Sequence, residues 1–326
     1  FLRKNKNFRN IKNFFDKSSN YTTHCVDKVG MLDPWVIWPT IHRGVDYKKH
    51  NIKNLGQDVS TFRGKPIWDV FLDNGSNIGI FGSLQSWPPK FPGDNGFYIP
   101  DTFAQNEKCI PESLNSFQKF NLQQVSKNGK VISKNSIYNV SSLLTFFSLP
   151  FYSVRLTTMS RILFQLVLEF FSKKHIAKRP SFQTLISWDI FKGLYNKKKI
   201  RFSTFFTNHI ANIMHRYWDH IFYDGVTNIE SSSNQIRTMD FAMKLLDDIL
   251  RDVILMSKRN KNLKIFFLSG MGQDKIDHPE HEGFEAKIGN IKKFAETYGL
   301  SQEDYSPLLA MVPQIAINIK NKEKRI

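Results

Sequence analysis

Cysteine is nearly missing from this chain: Cys25 and Cys109 are the only two among 326 residues. Two isolated thiols exclude a disulfide framework and a thiolate-built metal centre, and they fit a reducing compartment, with the cytoplasm as the favoured location. Long apolar runs are missing too. The most apolar stretch, SLLTFFSLPFYSVRLTTMSRILFQLVLEFF at 142–171, is interrupted by Arg155, Arg161, Gln165 and Glu169. No segment therefore reaches the ~18 apolar residues of a helical membrane span, no cleavable signal is visible, and the chain is expected to be soluble. It begins at Phe1 rather than Met, which leaves N-terminal truncation open. Internal repeats and low-complexity linkers are absent. Acids are scarce, 29 against 46 lysines and arginines, for a net charge of +17.

Apolar residues, by contrast, are plentiful. Hydrophobic residues make up 41% of the chain and aromatics 14%, with 29 phenylalanines, so a sizeable core is expected and disorder is excluded. The length suits one large domain or two modest ones. The basic excess is spread over many segments, among them SKKHIAKR (172–179), NKKKIR (196–201) and SKRNKNLK (257–264). None carries a nucleic-acid fold signature, so a solvated basic surface is the expectation and a nucleic-acid partner is disfavoured. A nucleic-acid reading would require the lysines to gather into one stripe.

Three short apolar runs ending at small polar residues predict strands covered on both faces: NIGIFGS (77–83), FSTFFTN (202–208) and KIFFLSG (264–270). GKPIWDVFLDNG (64–75) predicts a helix presenting Ile67, Val70 and Phe71 and stopping at Asn74-Gly75. Ile236, Met239, Met243, Leu246, Ile249, Leu250 and Val253 recur at helical steps and predict a long amphipathic helix over 234–258. Five prolines and two glycines give 86–113 a loop-like texture, and 113–196 reads as mainly helical, with prolines at 150 and 180. The expected fold class is α/β: one domain over 1–326 with a mostly parallel central sheet and helices on both faces. A largely helical insertion at 112–199 is expected to cover the carboxyl edge of that sheet.

Three places concentrate groups that carry chemistry. LDPWVIWPTIHRGVDYKKHNI (32–52) packs Thr40, His42 and His50 between tryptophans and a glycine turn. FFTNHIANIMHRYWDH (205–220) ends a strand in Thr207-Asn208-His209 and carries His215 on the helix that follows. His209 and His215 are separated by about 240° around a helix axis and do not share a face; His215 and Asp219 do. The third place, Ser269-Gly270-Met271-Gly272, leaves a predicted strand without an acid or base. Ser269 and nearby Gln273 offer hydrogen bonds to a bound anion. DHPEHEG (277–283) brings His278 and His281 among acids and reads as a solvated loop.

In this order, these stretches resemble the alkaline phosphatase superfamily, in particular a divergent branch of its phosphodiesterase- and sulfatase-like members. WPTIHRGVDYKKHNI is similar to the superfamily's segment ending Thr-Gly-x-x-Pro-x-x-His-Gly-Ile, with Trp38, Gly44, His50 and Ile52 matching. GKPIWDVFLDNGSNIGIFGSLQSWPP resembles the helix and strand that follow, and STFFTNHIANIMHRYWDHIF the strand that carries a metal-binding aspartate and histidine. FFLSGMGQ lies where members read Ser-Asp-His-Gly. The resemblance covers about residues 30 to 275.

That kinship implies a hydroxyl or thiol nucleophile beside two divalent cations held by Asp and His, clamping an in-line displacement. The motifs depart from it. Gly270 and Met271 occupy the Asp-His seat, and a thioether is too soft for zinc, magnesium or manganese. Asn208 replaces an aspartate, His209 or His215 stands for its partner, and the nucleophile interval falls near Pro34, leaving Thr40 as the nearest downstream hydroxyl. Two readings follow. The favoured one is a protein of this fold whose two-metal centre is dismantled and whose role is binding or structural. The alternative is a divergent phosphoric- or sulfuric-ester hydrolase in which Thr40 and His42 are catalytic, Asn208, His209 and His215 hold at most one zinc, manganese or magnesium ion or the site works by acid–base chemistry alone, and His50, Ser269 and Gln273 touch substrate. If the protein acts on a substrate, an anionic ester is what the resemblance implies, attracted by surrounding lysines. Neither reading fixes an oligomeric state.

Overall fold

A computed structural model describes residues 8–24, 33–126, 140–222, 229–273, 288–308 and 316–324. Its first half runs α1 (Arg9–Asp16), α2 (Pro34–Arg43), α3 (Tyr47–His50), α4 (Ile67–Asp73), β1 (Ile78–Phe81), β2 (Phe97–Ile99), α5 (Asn115–Ser126) and α6 (Val140–Ser148). The second half continues with α7 (Leu156–Phe171), α8 (Arg179–Lys197), β3 (Phe202–Phe205), α9 (His209–Phe222), α10 (Ile229–Arg259), α11 (Ile291–Thr297), β4 (Tyr305–Leu308) and β5 (Ala316–Ile319). The chain divides into two compact units. One comprises Phe1–Asp27, Leu144–Lys199 and Phe205–Lys275; the other comprises Lys28–Leu143, Ile200–Thr204 and Ile276–Ile326.

The first unit is helical and centres on α10. Met239, Ala242, Met243 and Leu250 recur on one face of that helix and are buried with Ile11 of α1 and Ile213 of α9. Each fully buried side chain of this size stabilises the unit by roughly 1.5–3 kcal/mol in transfer terms. Asp247 of α10 also reaches the start of α1: its Oδ1 accepts the Asn10 and Ile11 N–H groups at 2.8 and 2.9 Å, and its Oδ2 accepts Asn10 Nδ2 at 2.7 Å. A carboxylate there satisfies two of the helix's orphan donors and favours its positive end.

α7 is built the other way round, with polar groups inward. Thr158, Gln165 and Glu169 are buried. Glu169 Oε2 accepts from Arg179 Nε and Nη2 at 3.0 and 2.7 Å, Gln165 Nε2 donates to the His175 carbonyl at 2.6 Å, and Thr158 Oγ1 donates to Asp189 Oδ2 at 2.6 Å. These bonds fix the rotation of α7 against α8 and the turn between them.

The second unit holds a small parallel three-stranded sheet in the order β2-β1-β3. β1 pairs with β2 through Gly79↔Phe97, Ile80↔Tyr98 and Phe81↔Ile99, and every residue of both strands is buried, as strands covered on two faces require. Gly79 is dictated by packing: a Cβ there would lie 2.5 Å from the Phe97 ring. α4 precedes β1 and buries Trp68 against Ile78, Ile80 and Tyr98, while Phe71 stacks on Phe202 at 4.7 Å. A satellite cluster joins Ala295 of α11 to Leu300 and Tyr305, beside the antiparallel pair β4–β5.

The α/β class expected from sequence therefore holds, with a sheet of three short strands among the described residues. The strands expected at 77–83 and 202–208 form as β1 and β3, the long helix forms as α10, and the described part of 113–196 is helical, with Pro150 and Pro180 opening new turns. Three expectations are corrected. Residues 263–269 form no strand: Phe266, Phe267 and Leu268 are 83%, 45% and 55% exposed, Ile265 is half-buried, and Phe267 lies edge-on to the rings of Phe14 and Phe15. The stretch 86–113 is not all loop: three residues of it make β2. On α4 the buried face is Trp68 with Phe71 and Leu72, while Ile67 and Val70 are 44% and 49% exposed.

Candidate functional site

The segment with the strongest motif, 32–52, folds as two short helices joined by a left-handed glycine. Pro34 opens α2 at a position where its missing N–H costs nothing, and Gly44 closes it at φ 64°, returning its N–H to the Thr40 carbonyl. Asp46 caps α3 by accepting the Lys49 N–H at 3.0 Å, and Asn51 ends it at φ 58°. This double turn folds His50, completely buried, back against α2.

There His50 and Thr40 meet, Nε2 to Oγ1 at 3.0 Å. The proton positions follow from the neighbours. The Ile52 N–H points at His50 Nδ1 at 3.0 Å, so Nδ1 must accept and the proton of the neutral ring sits on Nε2. Nε2–H then donates to Thr40, and the Thr40 hydroxyl sends its own hydrogen to the Val36 carbonyl at 2.9 Å. A chain of three donors closes on a backbone oxygen. Thr40 has no base to take its proton, because the imidazole beside it is already donating.

His42 lies apart from this pair. It is buried edge-on against the Trp68 ring at 4.8 Å, with Trp38 at 5.9 Å, and its Nδ1 has no hydrogen-bond partner. Burial, reinforced by the Arg43 cation, pulls its pKa down to about 3, so the ring is neutral and cannot act as an acid near pH 7. Next to it, Arg43 Nε and Nη1 are buried without hydrogen-bond partners. Burial lowers the Arg43 pKa and the field of Asp69 opposes that shift. Asp69 itself holds Lys90 at 2.5 Å through Oδ2 and leaves Oδ1 unpartnered.

At the carboxyl ends of the same sheet stand groups that sequence reasoning missed. Asp101 follows β2, fully buried, accepting the Phe103 and Ser86 N–H groups at 2.8 and 3.3 Å; burial lifts its pKa to about 6 despite those bonds. Tyr98 donates to the Ser86 carbonyl at 2.7 Å, and Ser83 Oγ lies 2.7 Å from Thr204 Oγ1. The signal for Asp101 was a buried apolar triplet, Phe97-Tyr98-Ile99, immediately before Pro100; the prolines around it masked a strand. Cys109 is no nucleophile, since burial and then Glu112 push its thiol up to about 12.

In the helical unit, His209 opens α9. Its Nε2–H donates to the Ala242 carbonyl at 3.2 Å, and its Nδ1 accepts from Thr207 Oγ1 at 2.7 Å, with Thr184 Oγ1 2.9 Å behind. Burial drops its pKa to about 4. Asn208 is exposed, and its carbonyl accepts the Asn212 N–H at 2.9 Å. His215 Nδ1 accepts from Gln273 Nε2 at 2.6 Å, and partial burial lowers its pKa. Ser269 Oγ donates to the Met271 carbonyl at 2.9 Å.

The structure thus brings together Thr40 with His50 and His215 with Gln273. It places Thr40, His42 and His50 in one unit and Asn208, His209, His215, Ser269 and Gln273 in the other. A metal ion needs deprotonated lone pairs, and these residues do not fit one. Both nitrogens of His209 are engaged, and His215, with Nδ1 accepting, carries its proton on Nε2. Among the described residues no group of three or more His, Cys, Asp or Glu side chains is placed to hold a metal ion. His278 and His281 lie outside the described residues, as does the side chain of Asp219. No protein-family model, no curated protein and no solved structure matches this chain.

Proposed function

We propose that this chain is a binding protein on the alkaline phosphatase-like plan, related to phosphodiesterases and sulfatases, which recognises an anionic ester without hydrolysing it. The observation that carries the reading is the closed hydrogen-bond chain from Ile52 through His50 and Thr40 to Val36. It occupies the hydroxyl and the imidazole that ester hydrolysis would need, and it leaves no general base for Thr40. The finer architecture of that plan, a larger sheet with helices on both faces and 112–199 as a covering insertion, belongs to this same reading. Its support is the order α4–β1 and then β3–α9, which follows the order of the matching motifs.

Arg43 supplies the recognition. Its buried Nε and Nη1 have no hydrogen-bond partner, and a charged donor to a phosphate or sulfate oxygen makes a stronger bond than a neutral one. The chain's net charge of +17 draws such ligands toward it.

The test pairs metal analysis of the purified chain with turnover of an aryl phosphodiester and an aryl sulfate in added zinc or manganese, and with titration of phenyl phosphate followed by NMR. The reading expects sub-stoichiometric metal, turnover no faster than the metal-containing buffer, and saturable phenyl phosphate binding that Arg43→Gln removes. Stoichiometric zinc or manganese with turnover abolished by His215→Ala would overturn it. Absence of phenyl phosphate binding would remove the role given to Arg43.

A further inference from the structure

We infer that the outward face of α6 and α7 is a docking surface for an anionic lipid bilayer, on which the helices lie flat. This inference is independent of the ester-binding reading. It starts from an inversion. At about 100° per residue, Leu156, Leu163, Phe164, Val167, Phe170 and Phe171 share an arc of about 120° on α7, and Thr158, Gln165 and Glu169 cluster on the opposite side. In an ordinary surface helix the apolar arc faces the core. Here Leu156, Phe164, Phe170 and Phe171 are 75%, 64%, 84% and 79% exposed, and Phe147 and Phe151 just upstream are 63% and 84% exposed.

The inversion is held in place. Turning α7 to bury its phenylalanines would strip Glu169 from the buried Arg179, Gln165 from the His175 carbonyl and Thr158 from the buried Asp189. Breaking the Glu169–Arg179 pair would leave an uncompensated charge inside the protein, which is strongly destabilising. α7 therefore presents phenylalanine and leucine outward as its stable arrangement. Apolar surface gathered in this way marks a contact site.

Charge selects the partner. Between residues 141 and 179 there are six lysines and arginines and a single acid, Glu169, which is buried against Arg179. Basic groups stand at both ends of the apolar face. Lys173 and Lys174 are exposed just beyond α7, and at its other end Lys197 Nζ lies 3.0 Å from Ser153 Oγ, while the half-exposed Arg155 is already paired with Asp189 at 2.8 Å. A second copy of the chain would bring +17 against +17. An anionic bilayer supplies the opposite charge at the headgroups and an acyl boundary for the rings beneath, the arrangement of helices that lie in the interface plane. Among the described residues no helix is long and apolar enough to cross a membrane, and the contact proposed is a flat one.

The purified chain is sedimented with vesicles of phosphatidylcholine alone, and with vesicles that also contain phosphatidylserine, at low and high salt. Oligomeric state is measured by light scattering. Binding is expected to rise several-fold with phosphatidylserine and to fall with salt. Phe170→Ser with Phe171→Ser should weaken binding by about tenfold or more, and Lys173→Glu with Lys174→Glu should remove the phosphatidylserine dependence. Both variants change exposed side chains, and unaltered circular dichroism and melting confirm that each is folded. Equal binding by wild type and the phenylalanine variant overturns the inference, as does equal binding to both kinds of vesicle. So does a wild-type dimer that ignores vesicles and becomes monomeric in the phenylalanine variant, which would make a second copy the occupant.

Discussion

Replacing His209 by glutamine should change how the stability of the helical unit depends on pH, and the structure fixes the sign. Burial depresses the folded pKa of His209 from 6.5 to about 4. As pH falls below 6.5 the unfolded chain gains a proton at this site that the native state refuses until about pH 4. The unfolded state then binds more protons, so stability is complete above pH 6.5 and declines toward acid at up to ~1.4 kcal/mol per pH unit. Integration over that window gives a loss of about 2 kcal/mol by pH 5 and about 3 kcal/mol by pH 4. His209→Gln keeps a donor for the Ala242 carbonyl and gives up the acceptor for Thr207, a cost of about 1–2 kcal/mol at pH 7. The variant should start lower and fall less steeply, so the two stability curves converge near pH 5. The assay is urea unfolding followed by far-ultraviolet circular dichroism across pH 4.5 to 7.5. His42 and Asp101 titrate identically in both proteins and cancel in the difference. Parallel curves would refute the reasoning, because they would mean that His209 does not exclude a proton in the native state.

Glu169→Gln should destabilise the helical unit by about 3–5 kcal/mol, because it leaves the Arg179 charge buried, whereas Glu169→Leu combined with Arg179→Met should cost far less; thermal melts of the three proteins decide this. Thr40→Val keeps shape but removes the acceptor of His50 Nε2, and should lower stability by about 1–3 kcal/mol in urea unfolding. Gly79→Ala places a methyl group 2.5 Å from the Phe97 ring and should cost about 1–3 kcal/mol in thermal unfolding, with the strain eased by Phe97→Leu.

Much of this fold could be read from residue periodicity. α10 announced itself because Met239, Met243, Leu250 and their neighbours repeat with the helix period, and β1 because Ile78 and Ile80 flank a glycine that packing demands. Periodicity fails for short apolar runs, where a buried strand and an exposed extended segment look alike. Ile265-Phe266-Phe267-Leu268 was such a run, and the structure gives it neither a ladder nor burial. Phe97-Tyr98-Ile99 was the reverse: a true strand of three residues hidden among prolines. α7 shows a further limit. Its apolar content was plain in the sequence as part of the stretch 142–171, but the outward direction of its apolar face depends on Arg179 and Asp189, which lie on the next helix. At the candidate site the motif named both Thr40 and His50, which the structure joins by a hydrogen bond, and the direction of proton donation between them became legible only with the Ile52 N–H in place.

That direction is also where the account is most exposed. Isotope-edited NMR of the imidazole nitrogens of His50 at neutral pH reads it without reference to any substrate. A proton on Nε2, a bare Nδ1 and a loss of the Nε2–H coupling to residue 40 in Thr40→Val are the result expected from the closed chain. A proton on Nδ1, with Nε2 accepting from Thr40, would give that hydroxyl a base and contradict the non-hydrolytic reading.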